Sequence, residues 1–224
     1  MDKNTIHTAA PVIALDGFAA TGKTAVATAL AKKLGWRVLF SGMLYRYVAF
    51  SAARDSLGEY LDHIPPSWHA ALSDIDCTMH NDILDVRVKG ESLGAQLTQE
   101  SVGVFASKIA KNLNLRAELL SIQRSYRDFP GLIAEGRDMG SVVFPDAKLK
   151  VFLRASEDIR AQRRYDQLKR LGKSAIIHDI LSSIKQRDAR DLARITASSS
   201  ENVKVIDTST MTVDAVASLI YRDL

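Results

Sequence analysis

Short runs of apolar residues recur along the chain, and segments with helical periodicity separate them. Each run is continuous rather than alternating and is rich in β-branched residues, as in strands buried on both faces of a parallel sheet. The runs occupy residues 11–15, 37–40, 132–134, 149–153 and 203–207. Because strands that alternate with helices form layered α/β domains, this pattern predicts a five-stranded parallel sheet with helices on both faces.

Helical periodicity fills the segments between the strands. Val26, Leu30 and Leu34 recur every four residues before Gly35, which predicts a helix over residues 23–34. Further helices are predicted over about residues 43–54, 102–128, 156–172 and 175–194, with a closing helix lined by Val213, Val216 and Leu219.

The segment from Asp62 to Gly103 has a different pattern. Apolar and polar residues alternate over 75–79 and 84–88, and His80-Asn81-Asp82 supplies turn residues between them. This alternation predicts a half-exposed antiparallel hairpin, with a third strand near Ser92-Leu93. The insertion lies outside the central layer. It is either a structural addition without a role in binding or part of a flap that binds an acceptor substrate.

Between the first strand and the first helix lies Gly17-Phe18-Ala19-Ala20-Thr21-Gly22-Lys23-Thr24, which fits the pattern G-x-x-x-x-G-K-[ST]. Strand, glycine loop and helix is the context that a phosphate-binding loop requires. Its backbone N–H groups and the helix N-terminus favour anions. Lys23 would reach the β- and γ-phosphates of a bound nucleotide, and the Thr24 hydroxyl would ligate Mg²⁺.

Polar residues follow the ends of two other predicted strands. Ser41, Tyr45 and Arg46 follow the second strand, and Glu135-Gly136-Arg137-Asp138 follows the third. Ligands of open parallel sheets collect at this edge. Glu135 would hold Mg²⁺ or its water, or support another ligand, and Arg137 would bind an anion unless it only forms a turn with Asp138. Arg46 is an anion ligand or a surface residue.

The net charge of +4 is concentrated in one segment. Residues 163–194 contain nine Lys/Arg and four Asp/Glu, and Arg187, Arg190, Asp191 and Arg194 share one helical face. We interpret the segment as a lid that closes on polyphosphate; a solvated face and a nucleic-acid patch are the alternatives. The domain therefore divides into a core of residues 11–61, 104–160 and 200–224, the insertion 62–103, and this lid at about 163–194.

Composition narrows the cellular setting. The single Cys77 excludes an internal disulfide, residues 1–10 lack the apolar stretch of a signal peptide, and no run approaches a membrane span. We therefore expect a cytoplasmic protein without a membrane partner. The five histidines have no zinc-ligand spacing.

Four sequence blocks together resemble bacterial cytidylate kinases: D-G-x-x-x-T-G-K-T, S-G-x-L-Y-R at 41–46, P-G-L-I-A-E-G-R-D-M-G-S-V-V-F-P-D-A at 130–147, and R-D-A-R-D at 187–191. The block at 130–147 is the most specific, and the resemblance extends over about residues 11–222. It implies a monomer that transfers the γ-phosphoryl group of ATP to CMP or dCMP with Mg²⁺. We expect no nucleic-acid partner, because the basic segment lacks a series of interleaved aromatic residues.

The resemblance also implies roles for individual residues. ATP would be bound by the loop residues Gly17, Phe18, Ala19, Ala20, Thr21, Gly22, Lys23, Thr24 and Ala25 and by Arg163, with Thr24 and Glu135 at the metal. The acceptor would be bound by Ser41, Arg46, Ser107, Arg116, Arg137, Asp138, Asp191 and Arg194. Catalysis is assigned to Lys23, Arg137, Arg187 and Arg190, with no general base, because phosphoryl transfer needs alignment and charge neutralisation.

Three positions depart from the family pattern. Phe40 stands where members usually carry Asp, Thr24-Ala25 replaces the usual Gly or Ser followed by Thr, and Thr196-Ala197-Ser198 replaces an Ala-Pro pair in a connection about two residues shorter. The rival interpretations are a related kinase with another nucleotide or small-alcohol acceptor, and a nucleotide-gated binding protein that has lost transfer.

Overall fold

The computed structural model describes residues 9–58, 61–80, 83–197 and 202–224. Its strands are β1 (Val12–Gly17), β2 (Arg37–Phe40), β3 (Ile75–His80), β4 (Ile83–Val88), β5 (Glu91–Ser92), β6 (Leu132–Glu135), β7 (Leu149–Arg154) and β8 (Lys204–Asp207). Five of them form one parallel sheet in the order β2-β6-β1-β7-β8. All five apolar runs are thus strands of this sheet, and the predicted fold class is confirmed.

The helices are α1 (Lys23–Leu34), α2 (Ser41–Arg54), α3 (Pro66–Ser73), α4 (Gly94–Leu97), α5 (Glu100–Ile109), α6 (Leu113–Ser125), α7 (Glu157–Arg170), α8 (Ile177–Ala197) and α9 (Val213–Arg222), with one π-helical turn at Met139–Val143. Helices α1 and α9 bury Leu30 and Ile220 against one face of the sheet. Helices α2 and α6 bury Val48 and Leu119 on the other. In the described part of the chain, no helix combines the length and apolarity needed to cross a bilayer.

The long helix predicted over residues 102–128 is wrong, because the chain forms two helices there. Helix α5 ends at Ile109, and Asn112 caps α6 by accepting hydrogen bonds from the N–H groups of Asn114 (2.9 Å) and Leu115 (3.2 Å). An asparagine side chain competes with the backbone for such bonds and favours helix starts. Its Nδ2 also donates to the Leu61 carbonyl at 3.2 Å, which fixes the break against the insertion.

Other predicted helix boundaries shift by small amounts. Helix α2 begins at Ser41 rather than near 43, and α8 spans Ile177–Ala197 rather than 175–194. Pro66 is the first residue of α3, where its missing N–H has no cost, so this proline begins a helix that the sequence pattern did not predict.

The insertion contains the predicted antiparallel sheet in the order β3-β4-β5. Val86 and Val88 are buried while Arg87 between them is exposed, which confirms the alternation. These valines join Trp68 and Leu72 of α3 in the core on the α2 face of the main sheet. Asn81 and Asp82 of the predicted turn lie outside the described residues.

Candidate active site at the carboxyl edge of the sheet

The phosphate loop connects β1 to α1 and depends on two glycines. Gly17 has φ = +145°, and a Cβ there would lie 2.2 Å from the Leu153 carbonyl oxygen of the neighbouring strand β7. Gly22, with φ = +92°, precedes the first residue of α1. Because side chains resist both the positive φ and the close approach, glycine allows the backbone to turn its N–H groups toward an anion.

Lys23 is the buried cation of this loop. Its side chain is 4% exposed, and Nζ donates hydrogen bonds to the Phe18 carbonyl (2.5 Å) and to Thr21 Oγ1 (3.4 Å), with Glu135 Oε1 at 3.9 Å. Burial, reinforced by the nearby Arg137 guanidinium, lowers the pKa of Lys23 to about 7. The site therefore lacks enough negative charge of its own to hold this ammonium in its ordinary range.

This shift makes nucleotide binding depend on pH. Since only the charged ammonium binds phosphate strongly, ATP binding above pH 7 must charge a lysine that is largely neutral in the free protein. We expect proton uptake approaching about one per ATP between about pH 7.5 and 9, with affinity falling by up to about tenfold per pH unit. Calorimetric titration in buffers of different ionisation enthalpy measures both. Lys23→Met removes the titrating group and is the control; pH-independent binding by the unaltered protein would contradict the assignment.

Side chains from two other parts of the chain donate hydrogen bonds to a backbone carbonyl of the phosphate loop. Thr208, just after β8, donates from Oγ1 to the Thr21 carbonyl at 3.0 Å. Arg163 of α7 donates to the same carbonyl at 3.4 Å and to Thr208 Oγ1 at 3.0 Å. The structure thus brings Arg163 to the loop that the sequence assigned it to. Thr208 was missed, because nothing in its local sequence points to a loop 187 residues away.

Asp16 fixes the segment that follows β6. This buried carboxylate accepts hydrogen bonds from the N–H groups of Met139 and Gly140, both at 2.9 Å. Burial raises the pKa of Asp16 to about 6, against the effect of the two N–H donors. The residue precedes the phosphate loop in sequence, yet its spacing gave no sign that it anchors the π-helical turn.

Arg116 and Asp138, both predicted to bind the acceptor, form an ion pair with each other. Arg116 Nη1 also lies 3.5 Å from the Tyr45 hydroxyl. This pair joins α6 to the end of β6 and presents hydrogen-bond donors and acceptors side by side. Such a combination suits the edge of a nucleobase.

Arg137 extends from the same segment to the lid helix α8. Its Nε lies 2.9 Å from Asp191 Oδ2, and Arg187 Nε lies 4.0 Å from the same oxygen. Burial, together with the guanidiniums of Arg137 and Arg46, lowers the pKa of Arg187 to about 10. These arginines are therefore close enough to repel one another, and such a cluster of guanidiniums is suited to binding a polyanion.

Two further residues that were predicted to bind the acceptor substrate, Arg46 and Ser107, lie on α2 and α5. Arg46 donates from Nη1 to the carbonyls of Leu97 (2.7 Å) and Gln99 (3.0 Å), and burial lowers its pKa. Ser107 Oγ accepts a bond from Arg190 Nε at 3.3 Å, so α5 meets the lid helix there.

Phe40 is the last residue of β2, and Ser41 is the first residue of α2. Buried Ser41 accepts a hydrogen bond from Gln123 Nε2 at 2.8 Å, and Gln123 was not predicted because it lies on the distant helix α6. The Phe40 ring is buried in the apolar cluster on the α1 face. The usual family aspartate is therefore replaced by a core residue. The Arg194 side chain and the connection beyond Ala197 lie outside what the structure describes.

Oxygen ligands suitable for Mg²⁺ are available at Thr24 and Glu135. The described residues contain no group of three or more His, Cys, Asp or Glu that would enclose an ion. Magnesium fits such a site, since it commonly keeps several waters and binds one or two protein oxygens together with substrate phosphates.

The family model and the similar sequences indicate one family. The family model for cytidylate kinase matches residues 13–224. The chain is 44% identical over 208 residues to the cytidylate kinase of Bordetella pertussis, covering 92% of this chain and 91% of that protein. It is 38% identical over 228 residues to that of Nitrosomonas europaea, covering 99% and 96%. Among solved structures it resembles a shikimate kinase from Bacteroides thetaiotaomicron, with a TM-score of 0.47, 12% identity and coverage of 95% and 96%.

Proposed function

This chain belongs to the cytidylate kinase family, and from that premise we propose that it transfers the γ-phosphoryl group of ATP to CMP or dCMP, giving ADP and CDP or dCDP. The observation that carries the proposal is the gathering of positive charge at the carboxyl edge of the sheet. Burial, with the charges of Arg137 and Arg187, lowers the pKa of Lys23 to about 7. Burial, with the charges of Arg137 and Arg46, lowers the pKa of Arg187 to about 10. The triphosphate of ATP and the single phosphate of CMP or dCMP would supply the compensating negative charge.

On the donor side, the loop residues Gly17–Ala25 would bind the ATP phosphates through backbone N–H groups, with Lys23 between the β- and γ-phosphates. Arg163 would support the loop on the ATP side, as its contact with the Thr21 carbonyl suggests. Thr24 and Glu135 would hold Mg²⁺, which when bound neutralises phosphate charge.

On the acceptor side, we assign the nucleotide phosphate to Arg46, Arg137 and Arg194, because a guanidinium fork matches phosphate oxygens. Arg116 and Asp138 would bind cytosine as a pair, since a cation and a carboxylate in contact offer both donors and acceptors to its edge. Ser41, Ser107 and Asp191 would complete the set with base and sugar contacts.

Catalysis would follow from alignment and charge. Arg187 and Arg190 lie on the lid helix, and Arg137 is tied to that helix through Asp191 at 2.9 Å. When both nucleotides are bound, these guanidiniums would surround the phosphoryl group and stabilise the charge on its oxygens during transfer. We assign no general base, because a loose transition state depends little on proton removal from the acceptor. We further propose that residues 62–103 and about 163–194 act as acceptor flap and lid of a cytoplasmic monomer.

The proposal is tested by ADP formation with ATP·Mg²⁺ and CMP, dCMP, UMP, AMP or GMP in turn. We expect strong turnover with CMP and dCMP alone. Turnover confined to another acceptor would keep the chemistry and refute the specificity. Intact ATP binding without turnover on any acceptor would favour a binding protein that has lost transfer.

A further inference from the structure

Arg160 of α7 is a buried arginine that the proposed mechanism does not use. It is 3% exposed, and its guanidinium contacts three separate parts of the chain. Nε donates to the Ala155 carbonyl at 3.1 Å, Nη1 donates to the Ala19 carbonyl of the phosphate loop at 3.2 Å, and Nη2 lies 2.6 Å from Asp188 Oδ2 on the lid helix. One side chain therefore links the loop to the lid.

Phe18 adds a second link between this guanidinium and the loop. The Arg160 Cζ atom lies 5.3 Å from the centre of the Phe18 ring, within the range of a cation–π contact. The same ring packs edge-on against Phe152 of β7, with centroids 6.0 Å apart. The Phe18 carbonyl meanwhile accepts the 2.5 Å hydrogen bond from Lys23. The backbone of this residue thus faces the reactive lysine while its side chain faces Arg160.

Asp188 is the lid partner, and it lies between Arg187 and Arg190 in the sequence of α8. Its Oδ1 is buried and accepts no hydrogen bond from the residues that the structure describes. A largely buried carboxylate with one unsatisfied oxygen is costly unless a cation pairs with the other. Arg160 supplies that cation, so the position of this turn of the lid helix depends on a side chain anchored at the phosphate loop.

We propose that Arg160 and Asp188 are positioning residues that tie the lid helix to the phosphate loop, so that Arg187 and Arg190 come over the phosphoryl group in register with Lys23. The proposal rests on the phosphoryl transfer proposed above. It adds that the aromatic Phe18, which the loop pattern leaves free, is used to receive this tie. Arg160 and Asp188 do not contact substrate themselves. Both act by positioning the residues that do.

The test uses Asp188→Asn, Arg160→Met and the double variant in the full chain. We expect each single change to lower kcat by about 10- to 100-fold, as for a displacement of about 1 Å at a reacting centre, while KM for CMP stays within about threefold. Because Asn no longer requires a cation, the double variant should be no slower than Arg160→Met alone and should unfold at a higher temperature than that variant.

A second measurement follows the link itself. Hydrogen exchange of amides 18–22 should become faster in Asp188→Asn, although the altered residue lies on the lid helix. Arg154→Gln is the matched control, because Arg154 pairs with Asp207 at 3.3 Å but is 61% exposed; it should change neither kcat nor loop exchange.

Unchanged loop exchange and kcat in Asp188→Asn would overturn the proposal, as would a double variant whose loss equals the product of the two single losses. If Arg160→Met does not fold, Asp188→Asn carries the test alone through loop exchange. If the unaltered protein transfers no phosphoryl group to CMP, the function proposal fails, whereas the exchange result still decides whether loop and lid are tied.

Discussion

Replacing Lys23 with methionine should abolish phosphoryl transfer, lowering kcat by about 10³-fold or more, without unfolding the protein. The loop holds Lys23 Nζ 2.5 Å from the Phe18 carbonyl, and in the proposed mechanism its ammonium neutralises charge that develops on the transferred phosphoryl group. Methionine keeps the length of the buried stem and removes only the charge and its hydrogen bonds.

The same change should raise the thermal midpoint of the nucleotide-free protein or leave it unchanged. Burial lowers the pKa of Lys23 to about 7, which means that the folded chain disfavours its charged form. Near neutral pH, methionine removes that unfavourable term, and the two lost hydrogen bonds offset part of the gain. Initial rates and thermal unfolding measure the two effects separately.

Lys33→Met is the control for Lys23→Met, because Lys33 is exposed in the last turn of the same helix. It should keep full activity. Near-normal turnover in Lys23→Met would remove the phosphate loop from the mechanism, and a collapsed fold would show that the lysine is structural.

Arg137→Ala should lower kcat/KM for CMP by about 10³-fold while changing the dissociation constant for ATP by less than about tenfold. This arginine follows β6, beside the residues assigned to the acceptor, and its Nε lies 2.9 Å from the buried Asp191 of the lid helix. The substitution removes the guanidinium that we assign to the acceptor phosphate, together with its contact to Asp191.

A second variant distinguishes the effect of the positive charge of Arg137 from the effect of its bidentate hydrogen-bonding geometry. Arg137→Lys keeps the positive charge but cannot make two parallel hydrogen bonds, so most of the loss should remain. Steady-state kinetics with CMP and calorimetry with ATP give the two constants. Arg87→Ala, at an exposed position of the hairpin, is the control. Equal losses in CMP use and ATP binding would refute the acceptor assignment.

The layered architecture and the location of the phosphate loop could be predicted without the structure. Both follow from local patterns: continuous apolar runs identify strands covered on two faces, and the glycine spacing around Lys23 specifies a loop between strand and helix. The polar residues after β2 and β6 were also placed correctly at one edge, because parallel strands bring their carboxyl ends together. The break at Asn112 was missed although its capping signal was present locally.

The side chains that hold the site in place could not be predicted, because their partners come from distant segments of the folded chain. Asp16 anchors amides 123 and 124 residues away, Gln123 orients Ser41 across 82 residues, and Arg160 joins the loop to Asp188. Neither the periodicity nor the spacing of Asp16, Gln123 and Arg160 in the sequence indicates which residues they contact. A buried polar group must be satisfied by whatever the fold brings next to it, and that neighbour is set by packing of distant segments rather than by the local chain.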